Sequence, residues 1–186
     1  DASQDAQLVL AADARLEWLP METIAYPGCR ATNRVRFELA PGASSLGWDL
    51  LALGLPAADA AFDRGAIEQQ LHWSGVWLER GRIAGDDRAL LDSPLGLGGQ
   101  RALLTLWFAA CEAWPMAVRD ALLDAARAQL AAHVLTATAG ATAPESRLVL
   151  LRALAPRIEP LFALAIEVRA AWRRIAWQLD APAPRV

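Results

Sequence analysis

Side chains able to do chemistry are scarce in this chain. Two histidines, His72 and His133, are the whole supply of imidazole in 186 residues. No G-x-S-x-G, Cys-His signature or P-loop accompanies them, so nucleophilic and phosphoryl-transfer chemistry lack their parts. His72 falls on the outward side of an alternating pattern and His133 where a helix ends, a place that suits a cation. Both read as surface or helix-end residues. The glycine-rich string at 95–99 has no Lys and no strand-to-helix context, and reads as a turn. Cys29 and Cys111 are too far apart in sequence to form a disulfide framework or metal knuckle, a usage that fits a reducing compartment. Tight transition-metal sites want His and Cys at short spacing, and that spacing is missing. What remains is a set of carboxylates among aromatics: Glu17 beside Trp18, Glu22 after Leu19 and Pro20, Asp49 after Trp48, and Glu79 close to Trp77. Either each is neutralised by a nearby Arg or backbone N–H, or they line a polar, watered interior.

The elements that must position these acids are mostly strands. Ala31, Val35, Phe37 and Leu39 alternate with Thr32, Arg34, Arg36 and Glu38, between turns at Pro27-Gly28 and Pro41-Gly42. Upstream, Ala14, Leu16 and Trp18 alternate with Arg15 and Glu17 until Pro20. Downstream, Leu46, Trp48, Leu50 and Ala52 share one face of a strand whose other face carries Asp49 as its one charge. Ile67, Leu71 and Trp73 lead into a turn at Ser74-Gly75, and residues 76–83 return as the second arm of a hairpin. Glu79 shares its face with Trp77 and Ile83, so it must be partnered, water-lined or at an edge. Beyond residue 112 the period changes. Pro115 suits the first position of a helix carrying Val118, Leu122, Ala126 and Leu130. Two short strands are expected at 133–138 and 147–151, with a Gly/Ala/Thr/Pro loop between them. A closing helix has the stripe Leu161, Leu164, Val168, Trp172, Ile175 and Leu179, ends at Pro182 and Pro184, and presents Arg169, Arg173 and Arg174 to a partner.

Composition narrows the classes. The 18 basic residues are all Arg and face 21 acids, a net charge of −3, which gives no basic footprint for nucleic acid and no polybasic patch for a membrane surface. The longest apolar run, 102–111, is half of what a spanning helix needs. The length fits one domain, strand-rich over 1–112 and helix-strand-strand-helix over 115–180. The eight Trp are expected in the core. The chain does not begin with Met, so the presence or absence of a leader is not read from it.

Several short strings, in order along the whole chain, resemble the urease accessory protein UreD (UreH) family. They are LEWLPMETI at 16–24, LAPGA at 39–43 with LGWDL at 46–50, the turn LGLPA at 53–57, Phe62 with Gly65, WLER at 77–80, LDSPLGL at 91–97, and AWR at 171–173 before the final PRV at 184–186. The family usually has Arg where Leu55 stands and Gln where Met21 stands. It also continues upstream with a strand and a His-Pro-Pro-Gly-Gly-type turn that this sequence lacks. The resemblance implies an elongated antiparallel, β-helix-like stack of strands with two helices near the C-terminus. It implies a cytoplasmic nickel-insertion chaperone, not an enzyme, that acts with UreF, the GTPase UreG and apo-urease, with no tightly bound cofactor and only transient Ni²⁺. A polar tunnel is the metal path proposed for the family, and it maps onto Glu79 and Asp49, with Glu22 joined to them. A conduit wants weak oxygen ligands that bind and release. The alternative is a β-rich protein–protein scaffold without a metal role.

Overall fold

The computed structural model describes every residue except 56, 57, 59, 185 and 186; parts of the 53–57 turn and the 184–186 end therefore lie outside the described residues. Along the chain run β1 (Ala2–Leu10), β2 (Arg15–Trp18), β3 (Thr23–Ala25), β4 (Arg30–Leu39), β5 (Ser44–Leu55) and β6 (Ala60–Ala61). Then come β7 (Ala66–Trp73), β8 (Trp77–Ala84), α1 (Arg88–Asp92), β9 (Ala102–Ala110) and α2 (Met116–Ala132). β10 (Ala139–Glu145), β11 (Leu148–Ala155) and α3 (Ile158–Trp172) follow, and a π-turn at Arg173–Trp177 completes the described elements.

The strands form two open sheets that face each other. The first has the order β1-β4-β7-β8 and the second β10-β11-β9-β5-β2, with β3 and β6 also paired to β5. The expected antiparallel stack needs correction, because the ladders β1–β4, β4–β7, β2–β5 and β3–β5 are parallel. The cause is the winding. β1 reaches β4 by way of β2 and β3 in the other sheet, and β4 reaches β7 by way of β5 and β6, and a return of that length sets neighbours parallel. Where the connection is a tight turn, at 74–76 between β7 and β8, the pair is antiparallel as the hairpin pattern requires.

Residue period decides what each face touches. Leu46, Trp48 and Leu50 of β5, Leu104, Leu106 and Phe108 of β9, and Val149 and Leu151 of β11 point to a helix layer made by Leu122, Ala126 and Leu130 of α2 and Leu161, Leu164, Val168 and Trp172 of α3. Each such side chain removed from water contributes roughly 1.5–3 kcal/mol. The opposite face of the second sheet packs on the first through Val35, Phe37, Leu71, Trp73, Trp107, Leu148 and Leu150. Phe37 stacks on Trp73 with ring centroids 5.4 Å apart, and Trp107 meets Trp73 edge-on at 5.2 Å. All eight Trp belong to these clusters, three of them partly buried.

Three local expectations change. Residues 133–138 form turns instead of the expected strand, and the Gly/Ala/Thr/Pro segment expected as a loop is β10; hydrogen bonding to β11 outweighs the weak strand propensity of AGATAPE. The run 102–110, inside the part expected to be strand-rich, is β9, a strand covered on both faces. The regular α-helix of the closing stripe ends at Trp172, and Gln178, at φ 55°, turns the chain away, so Leu179 is 41% exposed. No helix among the described residues is long and apolar enough to cross a membrane.

Candidate functional site

The alternation of β5 that sends Trp48 toward the helices sends Asp49 into the gap between the sheets. Register then sets its neighbours. Asp49 lies beside Thr105 of β9, Thr105 beside Arg152 of β11, and Arg152 beside Gly140 of β10. On the facing sheet, Gln4 lies beside Asn33, Asn33 beside Gln69, and Gln69 beside Gly81. These two rows make a polar seam across the sandwich. It separates the aromatic cluster around Trp73 and Trp107 from a second apolar cluster formed by Leu51, Leu53, Phe62, Ile67 and Leu97. The sheets are joined across the seam where Gln69 Nε2 donates to Asp49 Oδ2 at 2.7 Å.

Each end of the seam widens into a cavity. One, of about 520 Å³, is lined by Asp49, Gln69, Glu79, Thr105 and Arg152 and lies between the edge strands β8 and β10. The other, of about 400 Å³, lies at the opposite edge and is lined by Gln4, Thr23, Cys29, Asn33 and Ile67; there Asn33 Nδ2 donates to Thr23 Oγ1 at 3.1 Å. Asn33 and Gln69 are register partners, so the two cavities adjoin across one pair of amides. A larger hollow on the outer face of the first sheet, rimmed by Arg30, Arg64 and Arg82, is wide open and shares no seam residue.

Electrostatics single out Asp49. Burial pushes its carboxyl up to about 6; the Gln69 hydrogen bond opposes that shift and the charge of Glu79 adds to it. Glu79 enters the same cavity from β8, on the inward face with Trp77 and Ile83, and Arg152 holds it: Nε donates to Oε1 at 3.4 Å and Nη2 to Oε2. The two acids that stood out as lone charges on apolar faces therefore meet in one cavity. Glu22 does not join them; it lines a separate hollow with Arg101, Arg157 and Glu159. Among the described residues no three His, Cys, Asp or Glu gather closely enough to hold a metal ion. The donors on the seam are two carboxylates, a hydroxyl and amide oxygens, which give weak, exchangeable ligation of a divalent cation.

The fourth acid has a structural job. Glu17 receives Arg169 Nε at 2.7 Å, Arg169 Nη2 at 2.9 Å and Arg173 Nη1 at 2.6 Å. Burial alone would raise its pKa, but the hydrogen bonds and charges of Arg169 and Arg173 outweigh burial and hold it below the ordinary glutamate value. Of the three arginines expected to meet a partner, Arg169 is 3% exposed. Arg173 also turns inward, and Arg174 is exposed. The same segment is pinned further on, where Trp48 Nε1 donates to the Pro20 carbonyl at 2.9 Å.

Sequence reasoning missed Gln69, Thr105 and Arg152. For Arg152 a signal existed, since it is the one charge within LVLLRALA, the same kind of anomaly as Asp49. Gln69 and Thr105 carry no such mark, because a neutral polar residue in an alternating strand is ordinary.

The chain matches the family model described as UreD urease accessory protein over residues 1–186. It is 55% identical over 185 residues to the urease accessory protein UreD of Leptothrix cholodnii, covering 100% of this chain and 66% of that relative. The UreD proteins of Variovorax paradoxus and Polaromonas naphthalenivorans are 50% and 49% identical over 185 residues, in each case 100% of this chain and 67% of the relative. The chain thus spans about two thirds of the length of the curated relatives it matches.

Proposed function

This chain belongs to the UreD family of urease accessory proteins, and from that premise we propose that it serves urease maturation by passing Ni²⁺ along the inter-sheet seam toward apo-urease, in a complex with UreF and the GTPase UreG. The observation that carries this reading is the convergence of Asp49 and Glu79 on one cavity at the end of a continuous polar row. A transit path must desolvate a cation in steps without holding it, and oxygen donors spaced along a seam do that, while a His/Cys cluster would trap the ion. The nickel is cargo, and the chain performs no turnover. Arg174, exposed beyond the end of α3, is left to meet a partner, whereas Arg169 and Arg173 are spent on Glu17.

The test pairs Glu79→Gln and Asp49→Asn in the full-length protein. Each variant should lower the nickel content of urease matured with it while the complex with UreF and UreG still elutes intact. Unchanged nickel content with both would overturn the conduit. A second reading, a scaffold with no metal role, draws on the pairing of Glu79 with Arg152 and of Glu17 with two arginines. On that reading, loss of function follows loss of partner binding and never occurs without it.

A further inference from the structure

Two glycines in the cavity wall have no structural reason to be glycine. Gly81 lies in edge strand β8 and Gly140 in edge strand β10, and both line the cavity that holds Asp49 and Glu79. Neither is among the glycines with positive φ, so the backbone does not require them. A Cβ added at either would meet nothing within 4 Å, so packing does not require them. Gly85 and Gly96 differ, because a Cβ there would strike neighbouring backbone. Glycine inside a strand costs stability and often marks a place where something else must approach. Each of these two terminates one row of the seam, Gly81 next to Gln69 and Gly140 next to Arg152.

We propose that the gap between Gly81 and Gly140 is the doorway through which a divalent cation reaches or leaves Asp49, and that the Arg152–Glu79 pair is its bolt. This deepens the conduit reading and rests on it. Arg152 stands next in the row behind Gly140, and its guanidinium reaches across to the opposite sheet, where it occupies the carboxylate that a cation would meet. The guanidinium is thus a stand-in cation on Glu79. Because the side chains of Arg152 and Glu79 are 47% and 31% exposed, solvent screens the pair and it opens readily. A cation entering between the strands displaces Arg152 from Glu79, then exchanges to Asp49, the more enclosed acid, with the Thr105 hydroxyl alongside and the Gln69 amide, whose N–H donates to Asp49, turning to offer its oxygen.

The experiment follows the uptake of Ni²⁺ from NiCl₂ by the full-length protein, by stopped flow with a chromogenic nickel indicator. Arg152→Ala should speed uptake by up to about fivefold, the factor that releasing an exposed ion pair allows. Gly140→Leu, and independently Gly81→Leu, should slow uptake while thermal melts and the complex with UreF stay as in the wild type; if one of them fails to fold, the other decides. Asp49→Asn distinguishes the two levels of the argument. If Asp49→Asn leaves uptake unchanged, the conduit reading itself fails. If Asp49→Asn abolishes uptake but the leucine variants and Arg152→Ala leave its rate unchanged, the cation enters elsewhere and the doorway is wrong.

Discussion

Replacing Asp49 with Asn should stabilise the protein, and the gain should depend on pH. Burial in the gap pushes the carboxyl from an ordinary 3.8 to about 6. A carboxyl whose folded pKa lies above its unfolded value binds its proton more tightly in the native state. Its contribution to stability is therefore complete below about pH 3.8 and is lost as pH rises through 6. Two pKa units at 1.36 kcal/mol each put the loss at about 3 kcal/mol by pH 8 and about half of that at pH 5. Asparagine keeps an oxygen to accept from Gln69 Nε2, now 2.7 Å from Oδ2, and carries no charge. Urea denaturation of wild type and Asp49→Asn at the two pH values isolates the effect, because every other titrating group is common to both proteins. The variant should gain about 3 kcal/mol at pH 8 and about 1.5 kcal/mol at pH 5. A gain of equal size at both, or a loss at pH 8, would refute the account of Asp49 as an acid held at a desolvation cost. A residue that lowers stability at neutral pH and is nevertheless an acid is what a functional carboxylate looks like.

Other perturbations test the frame around the seam. Glu17→Gln leaves Arg169 buried without its counter-charge and should cost about 3–5 kcal/mol in denaturant melts; adding Arg169→Met should recover part of it in a double-mutant cycle. Since Glu17 has its pKa lowered on folding, its contribution is present above the ordinary glutamate value and fades as pH falls through the lower, folded one, so Glu17→Gln should lose its effect in strong acid. Gly47→Ala would drive a methyl group into the Trp18 carbonyl and the Trp107 ring, and an overpacked core of this kind should cost about 1–3 kcal/mol by thermal or urea melts. Trp172→Phe removes the donor that reaches the Leu122 carbonyl at 2.8 Å and should cost about 1–3 kcal/mol on the same assays, through an unmet buried acceptor and lost contact.

Much of the site was legible because strands alternate. Asp49 and Glu79 stood out as charges on apolar faces, and β4, the β7–β8 hairpin and the stripe of α3 followed from period alone. Pairing direction was not legible, since alternation tells which way a side chain points and nothing about the neighbouring strand. β10 escaped because it draws its strand character from backbone bonds to β11 instead of from its own side chains, whereas β9 falls in the part expected to be strand-rich although its two apolar faces show no alternation. The partners Gln69 and Arg152 lie 20 and 73 residues from the acids they hold, and no local pattern links them. Glu17 was legible as an anomaly but not as a clamp, because its two arginines come from the far end of the chain.

That clamp has a bearing on how the molecule is made. Glu17 and Arg169 are 152 residues apart, and Glu17 and Arg173 are 156 apart. A chain growing from its N-terminus assembles β2 early and carries Glu17 unpaired until α3 has been synthesised. Contacts so distant in sequence close late and slowly. Until then the second sheet has an unfastened edge and lacks the helix that covers Trp48 and Phe108. Synthesis that stops before Arg169 leaves Glu17 without its counter-charges and Phe108 without the cover of Trp172 and Trp177, so the last turn of α3 and the π-turn after it complete both the fastening and the cover of the second sheet.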